Sequence, residues 1–169
     1  MIVADAAPLV HLARANWLRL LPRLYTKVVV PPSAWKPVVE PNDRRPETHV
    51  LEEATESWLE IRAPPAKAER TAQALQRATP MGLGEADAIA LAESLDVPVL
   101  LEDAIAADVA TMRGLTARWT ASVILEAHSK GILYRHEAKS AIEDLVKAGL
   151  WIRQDVLLHA LSALGGRSD

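Results

Sequence analysis

Val97-Pro98-Val99-Leu100-Leu101-Glu102-Asp103 is the stretch on which the fold turns. Its opening non-polar run lacks the alternation of a half-exposed strand, and so fits a strand covered on both faces of a parallel sheet. Two acids follow directly, where such a strand leaves the sheet. The amino terminus repeats the arrangement: Ile2-Val3-Ala4 runs into Asp5, ahead of a turn with Pro8. Lys27-Val28-Val29-Val30 is a further strand stopped by Pro31-Pro32, and residues 61–63 and 116–119 make two more short ones.

Helical segments separate these strands. Apolar spacing predicts one helix over residues 9–24 and a short one up to Val39, capped by Ser33 and confined by Pro37. Further helices are expected over 47–59, 67–78, 85–95, 104–113, 121–130, 135–148 and 154–164, with Gly131 at a helix C-cap. Strands joined through helices need crossover connections, which gives an α/β fold with a mainly parallel central sheet flanked by helices. Sites in open sheets of this kind form at the carboxyl ends of the strands.

Composition narrows the function. A chain of 169 residues, half of them hydrophobic, can bury the core of one domain. A formal charge of −3 leaves no global basic footprint, so nucleic-acid contact has to come from local patches. The absence of cysteine removes disulfides, thiolate metal sites and cysteine nucleophiles. The five histidines form no HxH or HExxH spacing, and Gly82-x-Gly84 lacks the third glycine of a dinucleotide fingerprint. The five tryptophans are expected to pack in the core or an interface. No basic leader precedes the first apolar run, and no apolar run approaches the roughly 18 residues of a membrane span. A cytoplasmic protein without membrane contact is therefore expected.

The acids carry the chemistry. Asp5 follows the first strand, Glu102 and Asp103 follow the 97–101 run, and Glu85 and Asp87 stand in the first turns of the helix after Gly84. Each suits a helix N-cap or a helix's positive first turn. Together they are expected on one edge of the sheet, where mutual repulsion calls for a hard cation such as Mg²⁺ or Mn²⁺. A carboxylate phosphatase or receiver-like domain on another doubly wound sheet is a weaker alternative, since the first strand lacks an Asp-x-Asp pattern.

IVADAAPLVHLA, VVVPPSAW, GLGEADAIALA, VLLEDAIAADVATMRGL and SVILEAHSKGIL, in this order, resemble PIN-domain proteins, and more narrowly the prokaryotic branch related to VapC-type toxin ribonucleases. The resemblance covers the chain to about residue 150. It implies a PIN-like three-layer domain over 1–150, with 151–169 as a C-terminal helical extension packed on or near it. It also implies a metal-dependent endoribonuclease, the toxin of a type II toxin–antitoxin pair, with RNA, an antitoxin and a second copy of the chain as partners. The helix faces at 9–24 and 47–59 are the expected dimer surfaces. Carried over by position, Asp5, Asp87 and Asp103 are the catalytic acids, and Glu85 joins them as a metal ligand. Glu40, Glu102 and Asp108 are accessory candidates, and Arg44 and Arg45 are candidate RNA contacts in a polar loop. Two departures matter: Pro37 stands where the family often has an acid, and Ala104-Ile105-Ala106-Ala107-Asp108 replaces its usual basic residues. They support a second reading, a catalytically degenerate PIN-like module that binds RNA or a protein partner.

Overall fold

The computed structural model describes residues 1–40, 45–152 and 154–164. In chain order the elements are β1 (Ile2–Ala4), α1 (Ala6–Arg14), α2 (Leu20–Leu24), β2 (Val28–Val30), α3 (Pro32–Val39), α4 (Pro46–Thr55), β3 (Leu59–Ile61), α5 (Ala66–Ala78) and α6 (Leu83–Leu95). Then follow β4 (Val99–Leu100), α7 (Ala104–Met112), β5 (Ala117–Arg118), α8 (Thr120–Ser129), α9 (Arg135–Lys147) and α10 (Gln154–Ala163).

The strands form one sheet of order β3-β2-β1-β4-β5, and every pairing is parallel. Val3 is in register with Val29 on one side and Val99 on the other. Side chains alternate across the pleat and split the core in two. Ile2, Ala4, Val28, Val30 and Leu100 face a cluster with α1, α2, α4, α8 and α9. Val3, Val29, Val99 and Leu101 face a second cluster built from α5, α6 and α7. Helices on both faces of a parallel sheet make the three-layer α/β architecture that the strand runs predict.

The sheet grows outward from β1 through β2 to β3, then crosses back so that β4 lies on the other side of β1. The gap between the ends of β1 and β4 is therefore the topological switch point, where crevices open in such sheets. Asp5 leaves the sheet on one side of it and Leu101-Glu102-Asp103 on the other.

Several elements differ from the sequence expectation. The single helix over 9–24 is two helices. Asn16 adopts φ 60, while the Asn16 and Trp17 N–H groups donate back to Ala13 and Leu12 carbonyls, at 3.0 and 2.8 Å. That is a Schellman ending on an asparagine, which tolerates the left-handed conformation. Gly131 ends α8 in the same way, with φ 70. β3 lies two residues earlier than expected, because α4 stops at Thr55 and Leu59 pairs with Val28. Pro31 rather than Ser33 caps α3, with Pro32 in the first turn, which frees the Ser33 hydroxyl for another helix. α10 packs on α8, and its Ala160 is buried in the core cluster of α8 and α9. Residues 165–169 of the expected extension lie outside the described residues. Among the described residues, no helix is long and apolar enough to cross a membrane.

Candidate functional site

A cleft of about 390 Å³ opens beside the end of β1, between α1, α3 and the first turn of α6. Asp5, Val10, His11, Arg14, Ser33, Gly84 and Glu85 are among its lining residues.

Asp5 sits in extended backbone as the N-cap of α1, and the Ala7 N–H donates to its Oδ2 over 3.4 Å. The residue is only 7% exposed. Burial pushes its carboxyl above the ordinary aspartate range, and the negative charges of Glu85 and Asp103 push it the same way. The α1 N–H groups at Ala6 and Ala7 oppose the shift without cancelling it.

Gly84 makes this enclosure possible. A Cβ on it would lie 3.0 Å from Asp5 Oδ1 and 3.3 Å from the Ala34 Cα, so any side chain here would push Asp5 and the α3 backbone back by a few tenths of an ångström. The approach carries Glu85, in the first turn of α6, into the cleft wall. Asp87, half a turn on, goes elsewhere: the Ser33 hydroxyl donates to its Oδ2 over 2.5 Å. Asp87 thus ties α6 to α3 beside the cleft.

Beyond β4 the two acids divide in the same manner. Asp103 is exposed and caps α7, its Oδ1 accepting from the Ala106 N–H at 2.8 Å, while its charge still reaches Asp5. Glu102 is turned the other way, where the hydroxyl and N–H of Thr120 both donate to its Oε2. Burial raises its pKa, and the two bonds from Thr120 work against that rise. Glu102 therefore locks β4 to the first turn of α8. Of the remaining candidates, Glu40 is exposed at the C-cap of α3, one turn beyond the cleft-lining Pro37, and Asp108 is exposed on α7. Arg45 is exposed at the N-cap of α4, and Arg44 lies outside the described residues.

Among the described residues, no three His, Cys, Asp or Glu side chains converge as a ready metal cage. The donor set still fits Mg²⁺ or Mn²⁺ in kind. It is all oxygen, and among the described residues neither Glu85 nor Asp103 has an ion-pair partner to offset the charge beside Asp5. Mg²⁺ keeps several waters and commonly takes only one or two carboxylates together with substrate phosphates.

The far wall of the cleft holds residues outside the expected acid set. Arg14 donates from Nε to Glu47 Oε1 at 2.7 Å, joining α1 to α4, and Glu47 is 9% exposed. His11 lies one turn before Arg14 on the same cleft-facing side of α1. The signal for both was their spacing from Ala7 at helical intervals, which only becomes meaningful once α1 is known to start at Asp5.

A family model described as a PIN domain (DUF3368) matches residues 1–166. The chain belongs to the PIN-domain family. No curated protein and no solved structure matches it. Membership of this family points to a nuclease-type module, and the five-stranded all-parallel sheet flanked by helices is the PIN-like fold.

Proposed function

We propose that this PIN domain is a metal-dependent endoribonuclease whose working site is the cleft at the end of β1. The observation that supports the reading best is Asp5: a nearly buried carboxylate at the switch point, with its pKa raised by burial and by the charges of Glu85 and Asp103. Perturbed carboxylates in a cleft mark functional sites more often than structural ones do elsewhere. Asp5 would anchor the cation, with Glu85 from α6 and Asp103 from the end of β4 holding it directly or through water. Mg²⁺ or Mn²⁺ supplies an acidified water and charge stabilisation on a phosphodiester. Glu85 takes the place beside Asp5 that Asp87 was expected to share, because Asp87 is engaged by Ser33. Asp87 and Ser33 then position the α6 start against α3. The toxin role, an antitoxin partner and a homodimer are extensions of this proposal carried by the resemblance of the motifs.

A second reading has one observation in its favour: among the described residues the acids form no three-ligand cage, and Pro37 and exposed Glu40 replace the acid expected from α3. On that reading the fold binds RNA or a protein without cutting. One experiment separates them. Single-stranded RNA is incubated with Mn²⁺ and wild type, Asp5→Asn, Glu85→Gln or Asp103→Asn, alongside calorimetric titration of Mn²⁺ into each protein. Cleavage by wild type that falls in the variants and stops in EDTA supports the nuclease. Wild type that neither binds Mn²⁺ at millimolar concentration nor cuts, yet retains RNA, supports the binding module.

A further inference from the structure

The cleft holds few side-chain donors, and most are committed. Arg14 turns its Nε and Nη2 to Glu47, the Ser33 hydroxyl is held by Asp87, and the first N–H groups of α1 by Asp5. His11 is the exception. Its Nδ1 is buried without a hydrogen-bond partner, which holds for no other buried side-chain nitrogen or oxygen among the described residues. Yet the residue lines the cleft and is partly exposed, so the exposure falls on atoms other than Nδ1.

Burial of Nδ1 has a chemical consequence. A neutral imidazole carries one N–H and one bare nitrogen, and an N–H buried without an acceptor is the costlier of the two to orphan. The favoured tautomer leaves Nδ1 bare and places the proton on Nε2. Protonation of both nitrogens would bury an unpaired N–H. In agreement, burial and then the Arg14 charge push the His11 pKa below the ordinary histidine value. His11 lies six residues from Asp5 along α1, about 9 Å of helix rise. That distance suits a neighbouring position on a nucleic-acid backbone laid along the helix.

We propose that His11 is a substrate-binding residue, its imidazole presenting Nε2–H to a phosphate oxygen of the RNA backbone next to the one held at the acids. The proposal rests on the nuclease reading for the identity of the ligand. A neutral donor suits a cleft whose other end is acidic, since it contacts phosphate without forming an ion pair with Asp5 or Glu85.

The test uses the whole protein with millimolar Ca²⁺ in place of Mn²⁺, so that a cation can hold RNA at the acids, and a fluorescein-labelled single-stranded RNA of mixed sequence as probe. Long-range ¹H–¹⁵N NMR of wild type reads the tautomer directly; the expected state is Nε2–H, with the His11 signals shifting as RNA is added. Anisotropy then compares wild type with His11→Gln, whose amide keeps an N–H near the Nε2 position, and His11→Phe, which keeps the ring alone. His11→Phe is expected to bind about 10- to 100-fold more weakly, the worth of one hydrogen bond to a charged phosphate, and His11→Gln close to wild type. The salt slope of binding should match wild type in both variants, because a neutral contact releases no counterion. In cleavage assays with Mn²⁺ the loss should appear in KM.

An Nδ1–H tautomer, or His11 signals indifferent to RNA, overturns the proposal even if His11→Phe fails to fold. Equal binding by wild type and His11→Phe, with cleavage intact, overturns it while leaving the nuclease reading standing. Wild type that neither binds nor cuts RNA removes both.

Discussion

Asp5 and Asp103 are built alike and end in different situations. Each follows a buried strand, each has extended backbone, and each caps the helix that comes next. Asp103 makes the better cap, at 2.8 Å against 3.4 Å, and stays exposed. Asp5 makes the weaker cap and is enclosed. The cause is their place in the sheet. β1 is the middle strand, so its end is roofed by the starts of α3 and α6, which Gly84 allows to close in. β4 lies next to the edge, and Asp103 beyond its end stays exposed. Capping is therefore compatible with the metal role proposed for these acids. The same local device becomes a site where tertiary structure removes its water and adds like charge.

The largest effect that could break this comparison is on activity. If the enclosed acid is the anchor, Asp5→Asn should lower the rate of Mn²⁺-dependent RNA cleavage by about 100-fold or more, and Asp103→Asn by about 10-fold. Both substitutions keep shape, so circular dichroism and thermal melts should show folded protein. A larger loss in Asp103→Asn than in Asp5→Asn would invert the order argued from burial.

Stability sharpens the same contrast. Gly84→Ala forces a methyl against Asp5 and the Ala34 backbone, and overpacking of this kind costs about 1–3 kcal/mol. Gly82→Ala meets only the end of the Glu85 side chain, which can swing away, so its effect should stay within about 0.5 kcal/mol. Asp103→Ala should cost about 1 kcal/mol through the lost cap on α7. Asp5→Ala should cost less than that, because it removes a long cap bond and a buried, repelled carboxylate together. Urea unfolding of the four variants gives all of these values, and equal costs for Gly84→Ala and Gly82→Ala would remove Gly84 from its role in the enclosure.

β1 and β4 and the acids at their ends were legible from short apolar runs that stop at an acid, the pattern left by burial on both faces of a parallel sheet. Sheet order was not. Nothing in residues 97–103 says that β4 returns beside β1, and that return is what brings the charge of Asp103 to bear on Asp5. The break at Asn16 was hidden because the apolar spacing runs on through it, while the left-handed turn needs only one tolerant residue. Glu85 and Asp87 could not be ranked from spacing, since two residues along a helix point to different sides and only the neighbours decide which faces what. The neighbour was Ser33, freed because Pro31 takes the cap. His11 and Arg14 went unassigned for the same reason: their partners, or the lack of one, come from other parts of the chain.

The smallest predicted effect is the most direct reading of Asp5's enclosure. A carboxyl whose folded pKa lies above its unfolded value of 3.8 keeps its proton longer in the folded state. Over the window between those two values the native protein binds more protons than the unfolded chain, so stability contributed by this group falls as pH rises. That contribution is full below 3.8 and is lost as pH climbs through the raised folded value. Glu102 acts with the same sign, whereas Glu47 and Glu126, whose pKa values are lowered, act with the opposite one. The total curve mixes them, and the difference between wild type and Asp5→Asn isolates Asp5. In metal-free buffer that difference should shift against wild type as pH rises from 4 toward neutrality. Millimolar Mn²⁺ should shrink the shift, because a cation beside the ionised carboxylate offsets both its burial and its repulsion from Glu85 and Asp103. A difference curve that is flat with pH would mean that enclosure leaves the ionisation of Asp5 unchanged, and the contrast between the two strand ends would then be one of capping alone.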